Sequence, residues 1–322
     1  MVALWLIIVL AIVQGILEWL PVSSEGWLFM ILTWAGETEN ALAIALFMHL
    51  GTMIAVIIRF RKDFILLFNL NVWKEFQARK EAAATEDNTT EVNEDKIAEE
   101  EEAILTKGKE QRILWKFILI ATAATGVIGI PIYLLLKFVL ADGDLLTFAD
   151  GAVSSGDIIT MVIGLFLIGT GIFIIISRRK TASKSIFEMK TWEMIVVGAV
   201  QGLALIPGVS RSGSTVGALL IEGVEEEDAL RGSFLLSVPA VLGGNVLTIV
   251  VDAIQGEFSL AGIPWYGMIL ALVISGVVGY LTIDFFLWVA RKINFGWFCI
   301  VVGALALIIT LIVMILALTT GG

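Results

Sequence analysis

The feature that most constrains this chain is a set of long, predominantly apolar stretches, each of about 18 residues or more. They cover residues 41–60, 113–140, 158–177, 232–251, 265–290 and 297–318. An α-helix needs about 20 apolar residues to cross the hydrocarbon core of a bilayer. Several such stretches in one chain therefore predict an all-α integral membrane protein with several spanning helices.

Composition and charge exclude other classes of protein. Hydrophobic residues make up 58% of the 322 residues and charged residues only 16%, which is more apolar surface than one globule of this size can bury. The 21 Lys and Arg against 31 Asp and Glu give a net charge of −10 without a basic stripe, which excludes a nucleic-acid binder. The single cysteine, Cys299, excludes a disulfide framework, and the single histidine, His49, excludes a multi-histidine metal site.

Two further apolar regions, residues 2–35 and 192–223, are interrupted by proline and polar residues. The two regions resemble each other: Val13-Gln14-Gly15-Ile16 recurs as Val200-Gln201-Gly202-Leu203, and Val22-Ser23-Ser24-Glu25-Gly26 recurs as Val209-Ser210-Arg211-Ser212-Gly213. Each region also carries one of the chain's five prolines at a matching place, Pro21 or Pro207. Broken helices at membrane depth are tolerated only where protein or a wet cavity surrounds them. We therefore interpret both regions as re-entrant helix hairpins.

Each hairpin precedes three apolar stretches, which divides the chain into two similar units. The first unit, residues 1–185, holds the hairpin 2–35 and the spans 41–60, 113–140 and 158–177; the second, residues 186–322, holds the hairpin 192–223 and the spans 232–251, 265–290 and 297–318. Because three is odd, the second unit enters the membrane upside down relative to the first. The predicted fold class is an inverted-topology repeat, whose binding site lies near the midplane where the repeats meet.

Basic residues mark one side of the predicted membrane topology. Arg59, Arg61 and Lys62 follow the first span, a second cluster begins at Arg178 after the third span, and Arg291 and Lys292 follow the fifth. The opposite loops contain acidic residues but no Lys or Arg. The positive-inside rule makes the basic side cytoplasmic, which places both chain ends on the external side of the cell membrane.

Residues 74–112 form a separate, acidic insertion on the predicted cytoplasmic side. The segment holds 12 acidic and 7 basic residues and is rich in Ala, Glu and Lys. This composition predicts a solvated helix or a disordered loop without a catalytic role.

The polar residues of the two hairpins are the candidates for chemistry. An ionised side chain at the bilayer centre costs about 2.5–3.5 kcal/mol on insertion scales, so we expect Glu18 and Arg211 to have a functional or structural role. Hydroxyl-bearing and small residues surround Arg211, and such residues at a turn that opens a helix direct backbone N–H groups at an anion such as phosphate. The alternative is an internal ion pair between Glu18 and Arg211 that only holds the repeats together.

The two hairpin motifs resemble those of a known family. The run Gln14-Gly-Ile-Leu-Glu18-Trp-Leu-Pro21-Val-Ser23-Ser24-Glu-Gly26, with Pro207-Gly-Val-Ser210-Arg211-Ser212-Gly213-Ser-Thr215, is similar to the undecaprenyl-diphosphatases, also called bacitracin-resistance proteins. The resemblance implies a membrane phosphatase that removes the terminal phosphate from a polyprenyl diphosphate lipid carrier, with a site reached from the external side. It implies Glu18, Ser24 and Arg211 as catalytic residues and Gln14, Ser23, Ser210, Ser212, Gly213 and Thr215 as phosphate-binding or supporting residues.

Two positions depart from the family pattern. Gln14 stands where many members have a glutamate, and Trp27 stands where many bacterial members have a histidine. A mechanism that needs a second carboxylate or that histidine is therefore in doubt for this chain. The departures indicate an archaeal or divergent branch, whose carrier lipid could be a different polyprenol.

The mechanistic hypothesis is attack by Ser24 on the terminal phosphorus, with Glu18 accepting or orienting the serine proton and Arg211 holding the charge. Attack by a water activated by Glu18 is the alternative. No organic cofactor is expected; a divalent cation, Mg²⁺ or Ca²⁺, could bridge Glu18 and the diphosphate, with substrate oxygens supplying most ligands. For His49, within the first span, a buried hydrogen-bonded role is favoured over a catalytic one.

Two other functions stay open at this point. Inverted repeats with broken helices are also typical of transporters, so a lipid-carrier flippase or an anion transporter could use the same midplane site. A non-enzymatic membrane protein, whose polar motifs only pack the hairpins, is the second alternative. The expected partners are the polyprenyl diphosphate substrate and membrane lipids, with no nucleic acid; the sequence does not give the oligomeric state.

Overall fold

The computed structural model describes residues 2–37, 41–82, 94–141, 155–179, 183–256 and 263–320, and these form helices without a strand. In chain order the helices are α1 (Leu4–Leu17), α2 (Ser24–Trp34), α3 (Ala41–Arg59), α4 (Arg61–Phe68), α5 (Leu70–Ala82), α6 (Glu94–Ala141), α7 (Ser155–Ser177), α8 (Thr191–Gly202), α9 (Arg211–Ile221), α10 (Glu226–Gln255), α11 (Trp265–Lys292) and α12 (Phe295–Thr320). Short 3₁₀ turns precede and follow α8, at Ile186–Glu188 and Leu203–Leu205.

Within this part of the chain, α6, α7, α10, α11 and α12 are long and apolar enough to cross a membrane. Helices α3 and α4 together pass the same test but are bent by 77° at the break between them, which gives a sixth candidate. These helices coincide with the six predicted spans. Large apolar side chains such as Leu165, Leu281 and Ile312 are exposed on their outer faces, as expected for a lipid-facing surface. The protein is therefore a multi-pass helical membrane protein.

The two interrupted regions each form two helices joined by a bend, which here is called an elbow. Elbow 1 is residues 18–23, between α1 and α2, and elbow 2 is residues 206–210, between the turn after α8 and α9. Helices α1, α2, α8 and α9 have 14, 11, 12 and 11 residues. At 1.5 Å per residue each is about 21 Å long or less, too short to cross a bilayer core of about 30 Å.

The hairpin of each half packs against a long helix of the other part of the chain through glycine. Gly15 of α1 lies against Val278 and Gly279 of α11, and a Cβ at Gly15 would stand 2.9 Å from the Gly279 nitrogen. Gly198 of α8 lies against Ala121 of α6, where a Cβ would stand 2.1 Å from the backbone oxygen. Only glycine allows these backbones to approach so closely. The hairpins are thus fixed on α11 and α6.

The basic residues that end the predicted spans lie at one end of the molecule. Arg59 bonds Asp284 of α11 at 2.6 Å. Arg178 donates to Ile293 O in the α11–α12 turn at 2.9 Å and to Glu226, at the start of α10, at 2.8 Å. The ends of α3, α7 and α11 and the start of α10 therefore share one end of the bundle.

The acidic insertion is helical over the residues that the structure describes. Residues 74–82 belong to α5, and residues 94–112 continue without a break into the membrane part of α6. Gln111 donates to Leu66 O and Leu67 O at 2.7 and 3.1 Å, which ties this extension to α4. Residues 83–93 of the predicted insertion lie outside the described residues. Of the two predicted forms, solvated helix or disordered loop, residues 74–82 and 94–112 adopt the helix.

Candidate active site

Elbow 1 presents the first turn of α2 to the interior of the molecule. Helix α1 ends at Leu17, and Pro21 three residues after Glu18 cannot continue it. Ser23 then adopts φ 58° and ψ 72°, a left-handed conformation that is costly for a residue with a Cβ. Its hydroxyl accepts the Gly26 N–H at 3.3 Å and caps α2. This strained turn makes Ser24 the first residue of α2.

Elbow 2 repeats this arrangement at the start of α9. Gly208 has φ 97°, which a glycine adopts without cost, and its Cβ position is filled by the backbone of Ile163 on α7. The hydroxyl of Ser210 accepts the Gly213 N–H at 3.1 Å and caps α9. Arg211 is therefore the first residue of α9, as Ser24 is of α2.

The two elbows pack directly against each other. A Cβ at Gly26 would stand 3.3 Å from the Gly208 nitrogen, and one at Gly213 would stand 3.2 Å from the Pro21 Cβ. Ser212 donates to Leu20 O at 3.1 Å. Residues almost 200 positions apart thus form one site, and the N-termini of α2 and α9 meet in it.

Glu18 connects the polar side chains of the site. Its Oε1 forms an ion pair with Arg211. Its Oε2 accepts hydrogen bonds from Gln14 Nε2 at 2.8 Å and from Ser24 Oγ at 3.0 Å. His49 Nε2, contributed by α3, lies 3.3 Å from the same oxygen. Glu18 is only 4% exposed, so this carboxylate is held by neighbouring side chains rather than by bulk water.

One arm of Arg211 has no hydrogen-bond acceptor among the residues that the structure describes. Nη2 is paired with Glu18, whereas Nη1 is buried and none of the described residues accepts a hydrogen bond from it. A buried donor without an acceptor costs about 1–3 kcal/mol, and more for a charged group. Arg211 therefore brings to the site a cationic donor whose hydrogen-bonding capacity an anionic or polar oxygen can satisfy.

The site opens into a cavity of about 180 Å³. Its polar end is formed by Glu18, Ser23, Ser24, Glu25, His49, Ser210, Arg211 and Ser212. Most of its other walls are mostly apolar and small residues of two helices, Thr122, Thr125, Gly126, Gly129 and Ile130 of α6 and Pro239, Ala240, Val241, Gly243, Gly244, Asn245 and Leu247 of α10. Leu46, Gln201, Ala204, Leu205 and Val209 complete the lining. The cavity thus combines a charged end with an apolar channel between α6 and α10.

The remaining residues predicted for the site lie behind it. Thr215 donates to Arg211 O at 2.8 Å and bonds Ser233 of α10. Gln14 supports Glu18 and contacts Thr52 Oγ1 at 3.3 Å. Gly213 lets α9 approach Pro21. None of these three lines the cavity, and neither does Trp27. Their predicted roles in phosphate binding remain predictions.

Sequence reasoning missed the polar residues on the far wall of the cavity. Gln201 donates to Thr125 Oγ1 at 3.1 Å, while Gln201 Oε1 and Thr122 Oγ1 are buried without a partner among the described residues. The signal for Gln201 was its place in the repeated motif, where it matches Gln14. Thr122 and Thr125 are three residues apart in an apolar span, which puts them on one helix face.

The donor set for a metal ion is small. Within the described residues, no group of three or more His, Cys, Asp or Glu side chains is arranged to hold a metal. Glu18 and Glu25 are the carboxylates that line the cavity. A cation here would have to take most of its ligands from a bound substrate.

The fold and the site together define a class: a multi-pass helical membrane protein whose buried polar site is built where two broken helices meet. The family model described as bacitracin resistance protein BacA matches residues 7–308 of this chain. The chain belongs to this family.

Curated relatives cover nearly the whole chain. A protein of Methanothrix thermoacetophila named undecaprenyl-diphosphatase is 33% identical over 306 residues, which is 94% of this chain and 95% of that protein. Proteins of the same name from Haloarcula marismortui and Methanococcoides burtonii are 35% and 33% identical, over 94% of this chain and 95% and 96% of their own lengths. The resemblance predicted from the hairpin motifs is confirmed, and these relatives include archaeal proteins as expected.

Proposed function

We propose that this chain is a membrane phosphatase that hydrolyses undecaprenyl diphosphate, or a related polyprenyl diphosphate, to the monophosphate and inorganic phosphate. The name of its curated relatives and the BacA family model support this activity. The reaction returns a carrier lipid to the form in which it can be used again for cell-envelope glycan synthesis. The transporter alternative is not favoured, because the relatives are named for hydrolysis.

The observation that carries the proposal is the free arm of Arg211. Its buried Nη1 has no acceptor in the described part of the chain, and Arg211 lines the cavity together with Ser24. A guanidinium holds phosphate oxygens through parallel N–H bonds. A terminal phosphate placed there would satisfy Nη1 and bring its phosphorus next to the Ser24 hydroxyl.

Backbone groups would add to the binding of phosphate. The first N–H groups of a helix have no partner within the helix, and the helix dipole makes this end positive. Helices α2 and α9 both direct such an end into the site, at Ser24 and at Arg211. Two converging helix N-termini and a guanidinium therefore favour the binding of a diphosphate head group.

The proposed reaction is a displacement at the terminal phosphorus. Ser24 Oγ forms a bond to phosphorus while the bond to the bridging oxygen breaks and the lipid monophosphate leaves with the electron pair. Arg211 and the N–H groups stabilise the charge on the phosphoryl oxygens. Glu18 holds Arg211 and lies 3.0 Å from Ser24 Oγ, where it can orient the hydroxyl. Water then cleaves the phosphoserine.

The apolar channel between α6 and α10 is the proposed path of the lipid tail. The two helices run in the same direction. Tyr133 of α6 bonds Thr248 of α10 at 3.0 Å, and one turn further along both helices Lys137 pairs with Asp252. Glycines line the channel before these contacts, and a Cβ at Gly243 would meet nothing within 4 Å. An internal proline, Pro131 in α6 and Pro239 in α10, removes one helix hydrogen bond on each side.

We further propose that the two halves form an inverted repeat. The sequence repeat supports this, since Gly15 and Gly202 occupy matching motif positions and pack on α11 and α6, which are the middle spans of opposite halves. With the basic end of the bundle in the cytoplasm, the Tyr133–Thr248 and Lys137–Asp252 contacts lie toward the external side of the cell membrane. The site would then be reached from outside.

A divalent cation, Mg²⁺ or Ca²⁺, would enter with the substrate. Glu18 is the residue that would hold it, and Glu25 is the other carboxylate in the cavity lining. It would balance the negative charge that a diphosphate adds to a cavity that holds two carboxylates and one guanidinium.

The test is phosphate release from undecaprenyl diphosphate by the purified protein in detergent, compared with Arg211→Lys. Lysine keeps the charge near Glu18 but cannot offer two parallel N–H groups, so we expect turnover to fall at least about 100-fold. Arg59→Lys is the matched control, because Arg59 is a half-exposed residue paired with Asp284 at the bundle end. Unchanged turnover in Arg211→Lys would contradict the proposed phosphate site.

The same assay separates an enzyme from a transporter. Hydrolysis needs no sealed compartment, so a phosphatase releases phosphate in detergent. A wild-type protein that releases none in detergent, yet moves the lipid across a sealed vesicle, would overturn the proposed function in favour of transport.

A further inference from the structure

His49 reaches the site from a helix that the hairpin motifs do not include. It lies on α3, is 6% exposed and lines the cavity. Its Nε2 is 3.4 Å from Ser24 Oγ and 3.3 Å from Glu18 Oε2, while Ser24 Oγ is 3.0 Å from Glu18 Oε2. The three atoms lie close enough together for one proton to move from any of them to another.

The other ring nitrogen fixes which tautomer His49 adopts. Nδ1 lies 2.7 Å from Ala45 O, one turn earlier on α3. A carbonyl oxygen can only accept, so Nδ1 carries the hydrogen and Nε2 of the neutral ring has a lone pair. That lone pair faces Ser24. The Ser24 hydroxyl has one hydrogen, and rotation about the Cβ–Oγ bond turns it from Glu18 Oε2 toward His49 Nε2, 3.4 Å away. A serine hydroxyl that can donate to a histidine, and a third group that orients the histidine, constitute the arrangement of an activated nucleophile.

We propose that His49 is the general base of the reaction and removes the proton from Ser24. The proposal rests on the proposed function for its substrate, and on the geometry of His49, Ser24 and Glu18 for its chemistry. Glu18 then acts as a positioning residue that holds Arg211 and stabilises the protonated histidine.

The proton can be followed through both steps. As the Ser24 Oγ–phosphorus bond forms, the hydroxyl proton moves to His49 Nε2, and the imidazolium is paired with Glu18 Oε2. His49 gives this proton to the phosphate oxygen of the departing lipid monophosphate. It then takes a proton from the water that attacks the phosphoserine and returns a proton to Ser24 Oγ, so that inorganic phosphate leaves and the enzyme is restored.

The contacts of Glu18 argue against its serving as the base. It already accepts hydrogen bonds from Gln14, Ser24 and Arg211, and moving a proton onto it would remove the charge that Arg211 is paired with. His49 Nε2 faces Ser24 Oγ at 3.4 Å and Glu18 Oε2 at 3.3 Å, so a proton taken up there lies beside the carboxylate. Transfer to His49 leaves the Glu18–Arg211 pair intact and creates a cation next to a carboxylate, which is the less costly change in a buried site.

The charged groups that face His49 are few. Glu18 of elbow 1, Glu25 of α2 and Arg211 of α9 share the cavity with it. Helices α10 and α11, which pack against α3, contribute the neutral residues Asn245 and Ser275 near this level. A pH dependence of the wild-type rate that disappears in a His49 variant can therefore be assigned to His49 rather than to these carboxylates, which the variant retains.

The first experiment compares the pH–rate profile of wild type with His49→Gln. Glutamine is polar and of similar size but takes up no proton. We expect kcat to fall about 10²–10⁴-fold with KM within about threefold, and the rise of the rate with pH that reports deprotonation of His49 to disappear. A purely structural role would lower thermal stability or raise KM and leave the profile unchanged, and that result would overturn the proposal.

The second experiment needs no polyprenyl substrate. A fluorophosphonate phosphonylates activated serines, and mass spectrometry identifies the modified residue. We expect labelling of Ser24 in wild type, slowed in His49→Gln by a factor similar to the loss in kcat. Labelling without hydrolysis of polyprenyl diphosphate would contradict the proposed function but keep the Ser24–His49 pair. Labelling at equal rates in the two proteins, or none at Ser24 in wild type, would contradict the pair.

Discussion

At the residue scale, the polar side chains near the elbows differ in whether their hydrogen bonds are complete. Arg211 pairs with Glu18 through Nη2, whereas its Nη1 has no acceptor within the described part of the chain, and Ser24 contacts both Glu18 and His49. Thr215, in contrast, donates to Arg211 O and bonds Ser233, and is 0% exposed. Groups with free capacity that face the cavity can act on a substrate, whereas Thr215 acts through the position of Arg211.

Replacing Thr215 by valine tests this distinction. Valine has the same shape but leaves Ser233 without its hydroxyl partner, so we expect a loss of about 1–3 kcal/mol in stability, seen as a lower melting temperature, with KM unchanged. Thr319→Val, at an exposed hydroxyl near the end of α12, should change neither quantity. A raised KM at unchanged melting temperature would show that the Thr215 hydroxyl reaches the substrate.

The sequence could predict the hairpin residues but not the contribution of His49. Glu18, Ser24 and Arg211 stand out because charged and hydroxyl residues interrupt apolar runs next to proline. His49 is 25 residues from Ser24 and lies in an ordinary apolar span, so no spacing rule links the two. Their contact depends on how α3 packs against the first hairpin, and no sequence pattern indicates that packing.

At the scale of elements, hydropathy predicted where helices cross but not where they continue or bend. Helix α6 extends from Glu94 to Ala141, although only residues 113–140 are apolar enough to mark a span. Helices α3 and α4 meet at a 77° bend, and no proline or glycine at this point of the sequence predicts it. Water-exposed helix is as polar as loop, so an apolar window identifies the membrane part of a helix and not its end.

Helix α10 provides the test of the proposed tail channel. Leucine at Gly243 would project into the space between α10 and α6, so we expect Gly243→Leu to raise KM for undecaprenyl diphosphate about tenfold, equivalent to about 1.4 kcal/mol. A farnesyl-length diphosphate, whose tail is shorter, should be affected less. Gly169→Leu is the matched control, since a Cβ at Gly169 on α7 also meets nothing within 4 Å but lies away from the cavity. Equal effects of the two variants would contradict this path for the tail.

At the scale of the whole molecule, the site exists only because two distant parts of the chain meet. The long apolar stretches predict the multi-pass helical fold, and the repeated motif predicts that its two copies belong together. The sequence does not predict how closely the two motif copies approach each other. That distance depends on Gly26 and Gly208, which allow two backbones into contact, and on α11 and α6, which hold the hairpins in place. The inverted relation of the halves stays a prediction that these contacts support.

The most direct test of the central claim is the rate of phosphate release from undecaprenyl diphosphate by Ser24→Ala, measured beside Ser237→Ala. Ser237 is also a buried serine, and within the described part of the chain its hydroxyl bonds Phe234 O of its own helix α10. We expect Ser24→Ala to lose more than about 10³-fold in kcat, as removal of a nucleophile does, and Ser237→Ala to retain the wild-type rate. A Ser24→Ala protein that keeps a rate within tenfold of wild type would show that water attacks the phosphorus directly and that Ser24 is not the nucleophile.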